Sequence, residues 1–334
     1  MTAHFLLTAA ARTLSLASVA RMSDEEAERV FVRLRFASNN GDAYCPHCGC
    51  TIVYACRRPN GAPRWRCKAC RKDFSVTSGT LFAFHKMPLR AYLMAVAIFA
   101  NEVKGKSMLA LSRDLGTQYK TAFVLAHKIR EAMASEVRRS TVGGQGKRAE
   151  VDGGYFGGYV KPANRRENRR DRRLRQNQSG KRKVVVVIRE RGGNTLPGVF
   201  ESEVAALNFI RRQVPRETEL YADEAGSWNE LHARYTLHRI NHQEAYSLPG
   251  EVYTNNAESF FSRMRRGEIG HHHHVAGPYL IRFAQEAAWR EDHRKEPNGF
   301  QVDRLVGLAM HNRPSVDFCG YWQRDQLIRP HPGR

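Results

Sequence analysis

The apolar positions of this chain change period along its length. A short apolar run, Phe5-Leu6-Leu7-Thr8-Ala9-Ala10-Ala11, predicts a short helix. It lies ahead of an acidic segment, Ser23-Asp24-Glu25-Glu26-Ala27-Glu28, that opens a second one. A signal peptide is conceivable here, but its apolar core would be short and Arg12 interrupts it, so the helix is favoured. Residues 86–134 also read as helices. Pro88, favoured in a first turn because its missing N–H has no intrahelical partner to lose, opens the run Leu89 to Ala100. From Ser107 the apolar positions continue to a break at Gly116. Thr117 can cap the next helix, and Phe123, Val124 and Ile129 carry its apolar face onward. That is helix-turn-helix punctuation, with Gln118, Tyr119, Lys120 and Lys128 turned outward toward a DNA groove. A plain helical hairpin between domains would show the same punctuation.

Gly143-Gly144-Gln145-Gly146-Lys147-Arg148 reads as a linker, and strand-like patterning begins after it. Val151, Asp152, Tyr155 and Phe156 mark a first strand. Val184-Val185-Val186-Val187-Ile188 is an unbroken apolar run, as in a strand covered on both faces. Asn194 to Glu201 suggests a further strand, and Glu203 to Arg212 a helix packed through Ala206, Leu207 and Ile210. Leu220 and Tyr221 run into Asp223, and Glu224-Ala225-Gly226-Ser227 reads as a turn into a helix. Asn255 to Gly267 reads as a helix with the two asparagines as N-cap and Gly267 as stop. Tyr279 to Arg294 is helical, with Leu280, Phe283, Ala287 and Trp289 as apolar points. Strands followed by helix, strand and helix make a mixed α/β order.

Charge adds a partner to this picture. Lys and Arg outnumber Asp and Glu by 54 to 33, a formal net charge of +21. Such a surplus points to a polyanion, with nucleic acid favoured over an anionic membrane surface. No run of eighteen apolar residues exists, so no transmembrane helix is expected. The segment Lys161 to Lys183 holds eleven basic residues and two acids. With so few apolar residues it reads as a disordered or hairpin-tip insertion that binds phosphate, through Arg165, Arg166, Arg169, Arg170, Arg172 and Arg173.

Cysteine adds a metal. Six of the seven cysteines lie between Cys45 and Cys70. Cys45-x-x-Cys48 and Cys67-x-x-Cys70 are two tight pairs eighteen residues apart, the spacing of a zinc ribbon with four thiolates on one Zn²⁺. Cys50 and Cys56 fall outside the pairs but could replace a ligand. A thiolate site in a basic chain argues against export and predicts a cytoplasmic, nucleoid-associated protein.

Three acids sit where elements would present them: Asp152 and Asp223 at strands, and Glu258 on a helix, with thirty-four residues separating it from Asp223. Three carboxylates are a minimal set for holding two divalent cations for phosphoryl chemistry. From about Ala43 to about Arg294 the chain resembles the insertion-sequence DDE transposases with an N-terminal zinc ribbon. The ribbon ending Cys70-Arg71-Lys72-Asp73-Phe74-Ser75-Val76-Thr77-Ser78-Gly79-Thr80, the Tyr119-Lys120-Thr121-Ala122-Phe123 helix and Asn255-x-x-Glu258 carry the likeness. The resemblance implies a ribonuclease H-like, integrase-like catalytic domain with a mixed sheet. It also implies Mg²⁺, or Mn²⁺ in its place, on Asp152, Asp223 and Glu258. Double-stranded DNA at transposon ends and targets would be the partner, bound by a homo-oligomer. The family often has a Lys seven residues after its glutamate; Arg265 stands here, with Arg266 beside it, as a phosphate contact. Two departures stand out. Gly153 replaces the acid that often follows the first Asp, and some relatives use an Asn near the third acid, where this chain has Asn255 and Asn256.

The expected layout is an N-terminal helical extension (1–42), a zinc ribbon (43–80), a helix-turn-helix region (81–142), a catalytic domain (143–296) with the basic insertion 161–183, and a tail (297–334). A zinc-ribbon transcription regulator, or a nuclease of the same fold without strand transfer, would be the competing functions. The four consecutive histidines His271 to His274 read as surface or DNA contacts.

Overall fold

The computed structural model of this chain describes residues 5–57, 63–157, 163–170, 177, 180, 182–240, 254–275 and 277–318. Its regular elements run α1 (Leu16–Arg21), α2 (Asp24–Arg35), β1 (Val53–Arg57), β2 (Pro63–Cys67), β3 (Asp73–Phe74), α3 (Leu89–Asn101), α4 (Met108–Asp114) and α5 (Tyr119–Val137). There follow β4 (Arg148–Phe156), β5 (Lys183–Glu190), β6 (Thr195–Phe200), α6 (Leu207–Gln213), β7 (Glu219–Asp223), β8 (Thr236–Ile240), α7 (Asn255–Gly267), α8 (Leu280–His293) and α9 (Asn298–His311). They fall into two compact units. One comprises residues 1–101, 108–132 and 296–334; the other comprises 102–107 and 133–295.

In the first unit α2 begins on a reciprocal cap. Ser23 Oγ accepts the Glu26 N–H at 3.1 Å, and the Glu26 carboxylate accepts the Ser23 N–H at 2.7 Å. Ala27, Phe31 and Arg35, four residues apart, form its buried stripe. That stripe belongs to a helical core in which α2, α3 and α9 pack on one another. Residues 298–311 are therefore part of a core rather than a tail, through Val302, Leu305, Val306 and Ala309. Arg35 ends the stripe as a buried cation. Its guanidinium donates to the carbonyls of Ser75 (3.2 Å), Val76 and Ser78 (2.6 Å), which fixes the turn after the ribbon. Burial holds its pKa down at about 10.

Gly116, at φ +60°, makes the turn between α4 and α5, where the sequence places it. Gln118, Tyr119 and Lys120 are exposed there. Lys128 is not: it is 9% exposed, so it leaves the outward-facing set. Eight residues past Lys120, α5 has entered a stretch buried at every position from Leu125 to Arg130.

The second unit is built on a five-stranded mixed sheet in the order β6-β5-β4-β7-β8. β4, β5 and β6 are antiparallel neighbours, while β7 and β8 run parallel to β4. β5 is buried from Val184 onward, as its apolar run predicts, but the middle strand is β4. β8, Thr-Leu-His-Arg-Ile, carries no clean alternation and is not legible beforehand. α7 packs on β4 and β5, and α8 on β6. Gly154 permits the α7 contact: a Cβ there would stand 2.6 Å from the Phe261 ring. The unit begins before the Gly143 linker because the end of α5 is tied into it. Glu136 accepts the Trp289 Nε1–H of α8 at 2.8 Å. Among the described residues, no helix is long and apolar enough to cross a membrane.

Candidate metal centres

The ribbon is made of two matching knuckles. In the first, the Gly49 N–H donates to Cys45 O (2.9 Å) and the Cys45 N–H to Cys50 O (2.9 Å). In the second, Arg71 N–H donates to Cys67 O (3.1 Å) and Cys67 N–H to Lys72 O (3.0 Å). The residue after each second cysteine is left-handed, Gly49 at φ +75° and Arg71 at φ +58°. Only the first of these is a glycine, so only the first turn shows in composition. The pairs Val53↔Cys67 and Arg66↔Asp73 register the three strands. Phe36, Phe74 and Trp65 pack around the buried Cys45 and Cys67.

The Sγ atoms of Cys45, Cys48, Cys67 and Cys70 all lie within 4.8 Å of one another. Cys45–Cys70 and Cys48–Cys67 are each 3.6 Å apart. A tetrahedral site with Zn–S near 2.3 Å has edges of about 3.8 Å, so the set fits a structural Zn²⁺. The Cys70 N–H donates to Cys67 Sγ at 3.5 Å, and such backbone donors hold the Cys67 thiol down at about 6. Cys50 and Cys56 are not part of this set; their thiols lie 3.6 Å from the carbonyls of Ile52 and Tyr54.

The acids belong to the second unit. Val151 pairs with Ala222 across parallel strands, so Asp152 and Asp223 come next on adjacent strands. The Asp152 carboxylate accepts its neighbour's N–H, from Gly153, at 2.7 Å. Asp223 accepts from the Ala225 N–H at 3.3 Å, in the turn that leaves β7. Arg239 of β8 pins that turn, donating to Asp223 O (2.6 Å), Ala225 O (2.8 Å) and Asn229 Oδ1 (2.9 Å). Burial pushes Asp152 up to about 7, and the charges of Asp223, Glu258 and Glu203 push it the same way. Asp223 and Glu258 therefore lie near enough to Asp152 to repel its charge, as does a fourth acid, Glu203, that the sequence did not single out. Glu203 fits because residue 153 is glycine: a Cβ there would lie 2.6 Å from Glu203 Oε1. Among the described residues only the cysteine set has its ligand atoms within 4.8 Å of one another; the acids are grouped more loosely.

Glu258 arrives on α7, but not by the expected cap. Asn255 and Asn256 lie inside the helix, and Thr254 at the N-cap position makes no side-chain cap bond. The cap comes from β4. Glu150 accepts the N–H groups of Asn256 (2.8 Å) and Ala257 (3.0 Å). The Asn256 side chain donates to Glu150 as well, at 2.9 Å. Gly267 is likewise not a stop. The chain continues through a π-turn, Glu268–His272, and a Cβ at 267 would stand 2.9 Å from Lys104 O. Arg265 is exposed, its guanidinium 5.1 Å from the Phe156 ring, and Arg266 is exposed beside it. His271 to His274 join no metal-capable cluster among the described residues. Arg165, Arg166, Arg169 and Arg170 are exposed; Arg172 and Arg173 lie outside the described residues.

Comparison with known proteins decides the family. Residues 144–292 match the ISXO2-like transposase domain, and residues 22–73 match the transposase zinc-ribbon domain. The chain belongs with the insertion-sequence transposases that carry an N-terminal zinc ribbon. This transposase is similar to an uncharacterised protein in the transposable element ISH50 of Halobacterium salinarum. The two are 23% identical over 300 residues, which cover 86% of this chain and 98% of the relative. No solved structure matches the transposase. The domain match over 144–292 spans β4, β7 and α7, and with them all three acids.

Proposed function

We propose that this transposase binds the ends of its insertion sequence and both cuts and joins DNA at Asp152, Asp223 and Glu258. The observation that carries the reading is one of placement. Two acids stand side by side on β4 and β7, and β4 itself caps the helix that bears the third. Three antiparallel strands, then a helix and two parallel strands, make the ribonuclease H-like succession and support that fold for the second unit.

The donor set suits hard divalent cations: all oxygen, anionic, and held where burial and mutual repulsion oppose the charged form. Asp152, Asp223 and Glu258 are the residues that would hold Mg²⁺, or Mn²⁺ in its place. Bound there, a pair of such ions supplies charge for the attacking and leaving oxygens of an in-line displacement. Water attack at the transposon end leaves a 3′-OH, and that hydroxyl then attacks a target phosphodiester. Arg265, seven residues past Glu258, contacts the DNA phosphate on the same helix face. Exposed Gln118, Tyr119 and Lys120 belong to end recognition. Arg165, Arg166, Arg169 and Arg170 add affinity without sequence.

End-bearing duplex incubated with Mg²⁺ or Mn²⁺ and a target plasmid tests the whole reading. Joined product is expected. Cut ends without joining would leave a nuclease of the same fold, and neither product would leave a regulator, a role that ignores the catalytic-domain match.

Two further results are expected. Replacing Arg165, Arg166, Arg169 and Arg170 by Ala should lower the slope of log K against log salt by up to about 4, at about 0.9 per lost phosphate contact. It should weaken all duplexes alike; a changed sequence preference in binding titrations would contradict the division of labour. The second concerns pH. Folded Asp152 keeps its proton up to about 7, whereas an unfolded aspartate loses it near about 4. In between, the folded state binds more protons, so this contribution to metal-free stability is full below about pH 4 and is lost as pH rises to about 7. The Tm of wild type minus that of Asp152→Asn should fall across this window. A flat difference would place Asp152 in ordinary solvent.

A further inference from the structure

Directly beneath the three acids lies a second set of side chains. Glu150 is two residues before Asp152, and Tyr221 two before Asp223, so each shares its acid's face of the sheet. Glu150 and Tyr221 are themselves direct partners across β4 and β7. Glu150 is fully buried, at 0% exposure. Its Oε2 accepts the N–H groups of Asn256 and Ala257; its Oε1 accepts Asn256 Nδ2–H and the Arg191 Nε–H, at 2.9 Å each. Arg191, just past β5, also lays its guanidinium 4.0 Å from the centre of the Tyr221 ring.

We propose that Glu150, Arg191 and Tyr221 form a positioning layer that sets Glu258 against Asp152 and Asp223; this rests on the metal-site reading above. Helix starts leave N–H groups without intrahelical partners, and α7 supplies no side-chain cap of its own. Glu150 fills that role from the strand that carries Asp152, which fixes the start of α7 to β4. Glu258 follows Asn256 by two residues, within the same first turn of helix. A buried carboxylate needs compensation, and Glu150 has two sources: the Arg191 cation and the positive end of α7. Arg191 in turn stacks on the strand that carries Asp223. The layer thus touches each of the three chain segments that deliver an acid. Such outer partners of metal-binding groups govern affinity and rate through orientation.

The test uses full-length, zinc-loaded protein and Mn²⁺ as probe. Bound Mn²⁺ is measured by electron paramagnetic resonance, and end cleavage by kcat and KM. Glu150→Ala is expected to weaken Mn²⁺ binding and lower kcat by about 10- to 100-fold each, with KM for end DNA unchanged. Glu150→Gln keeps one acceptor for α7 and should recover part of both losses. A merely structural role would lower Tm but leave Mn²⁺ affinity and kcat intact, with Gln no better than Ala; that result overturns the proposal. Should Glu150→Ala fail to fold, Asn256→Ala removes one of the four bonds and should give a smaller loss of Mn²⁺ affinity, while an unchanged value overturns the layer. Asp152→Asn separates the two levels. If it leaves Mn²⁺ binding untouched, the metal site is misplaced. If it abolishes Mn²⁺ binding while Glu150→Ala does nothing, only the positioning layer is wrong.

Discussion

Asp152→Asn is expected to abolish end cleavage and strand joining together while leaving end binding intact. The substitution is nearly isosteric, so the main-chain course of β4 is kept. On the reading proposed above, it removes one anionic ligand from a set of three, and with it the capacity to hold cations at the reacting phosphate. On that reading cleavage and joining share the site, so both rates should fall by several orders of magnitude. In the proposed division of labour binding relies on other groups: exposed Gln118, Tyr119 and Lys120, and the arginines after β4. The removed charge also lies where burial and neighbouring carboxylates disfavour it, so the metal-free variant should be more stable than wild type at about pH 8. Loss of activity with gain of Tm is a signature that a structural aspartate would not give. Asp223→Asn should behave alike in activity. Arg265→Ala should be milder, since it removes a phosphate contact and no ligand. The measurement is a gel assay for nicked and joined products beside a mobility shift with the same duplex. An Asp152→Asn protein that cleaves at the wild-type rate would remove Asp152 from the site.

How far the sequence reaches depends on the range of the interaction that fixes each feature. The ribbon was legible because its determinant is covalent spacing: two C-x-x-C pairs and one Zn²⁺ leave few arrangements. Asp152 and Asp223 were legible as strand acids, because apolar runs precede each. Their adjacency was not, since it depends on β7 pairing in parallel with β4 across seventy residues of chain. Glu203 and Glu150 were missed for a related reason. Glu203 gains meaning only from the space above Gly153. Glu150 looks like one more acid in Arg148-Ala149-Glu150-Val151, yet it is buried and caps a helix more than a hundred positions later. The asparagine N-cap failed on the same point: local propensity gave way to a carboxylate supplied by the sheet. Lys128 failed because helix periodicity shows which positions align but not how deeply a helix is buried. The segment 297–334 looked like a tail because its Pro and Arg content hid the apolar face of α9.

Removing zinc is expected to unfold the ribbon and leave the catalytic unit standing. The ribbon's strands are only five, five and two residues long. Its apolar cluster centres on Phe36, Phe74 and the ligands Cys45 and Cys67 themselves. So small a core does not hold three strands together without help. Structural zinc in comparable sites contributes about 10–16 kcal/mol at neutral pH, more than such a core could replace. Without metal, four thiols packed within 4.8 Å lose the attraction that gathers them. The five-stranded sheet has its own core, with Val184 to Ile188 fully buried, and shares no residue with the ribbon. Chelation, or Cys67→Ser, should therefore abolish the near-ultraviolet signal of Trp65 and free the cysteines to a thiol reagent, while far-ultraviolet helix and strand content changes little. End binding should drop with the ribbon if the ribbon touches DNA, and survive if its partner is protein. Elemental analysis should give one zinc per chain in protein purified without chelator. Metal-free protein with an intact Trp65 signal would show that the aromatic cluster alone holds the knuckles, and the cysteines would lose their structural role.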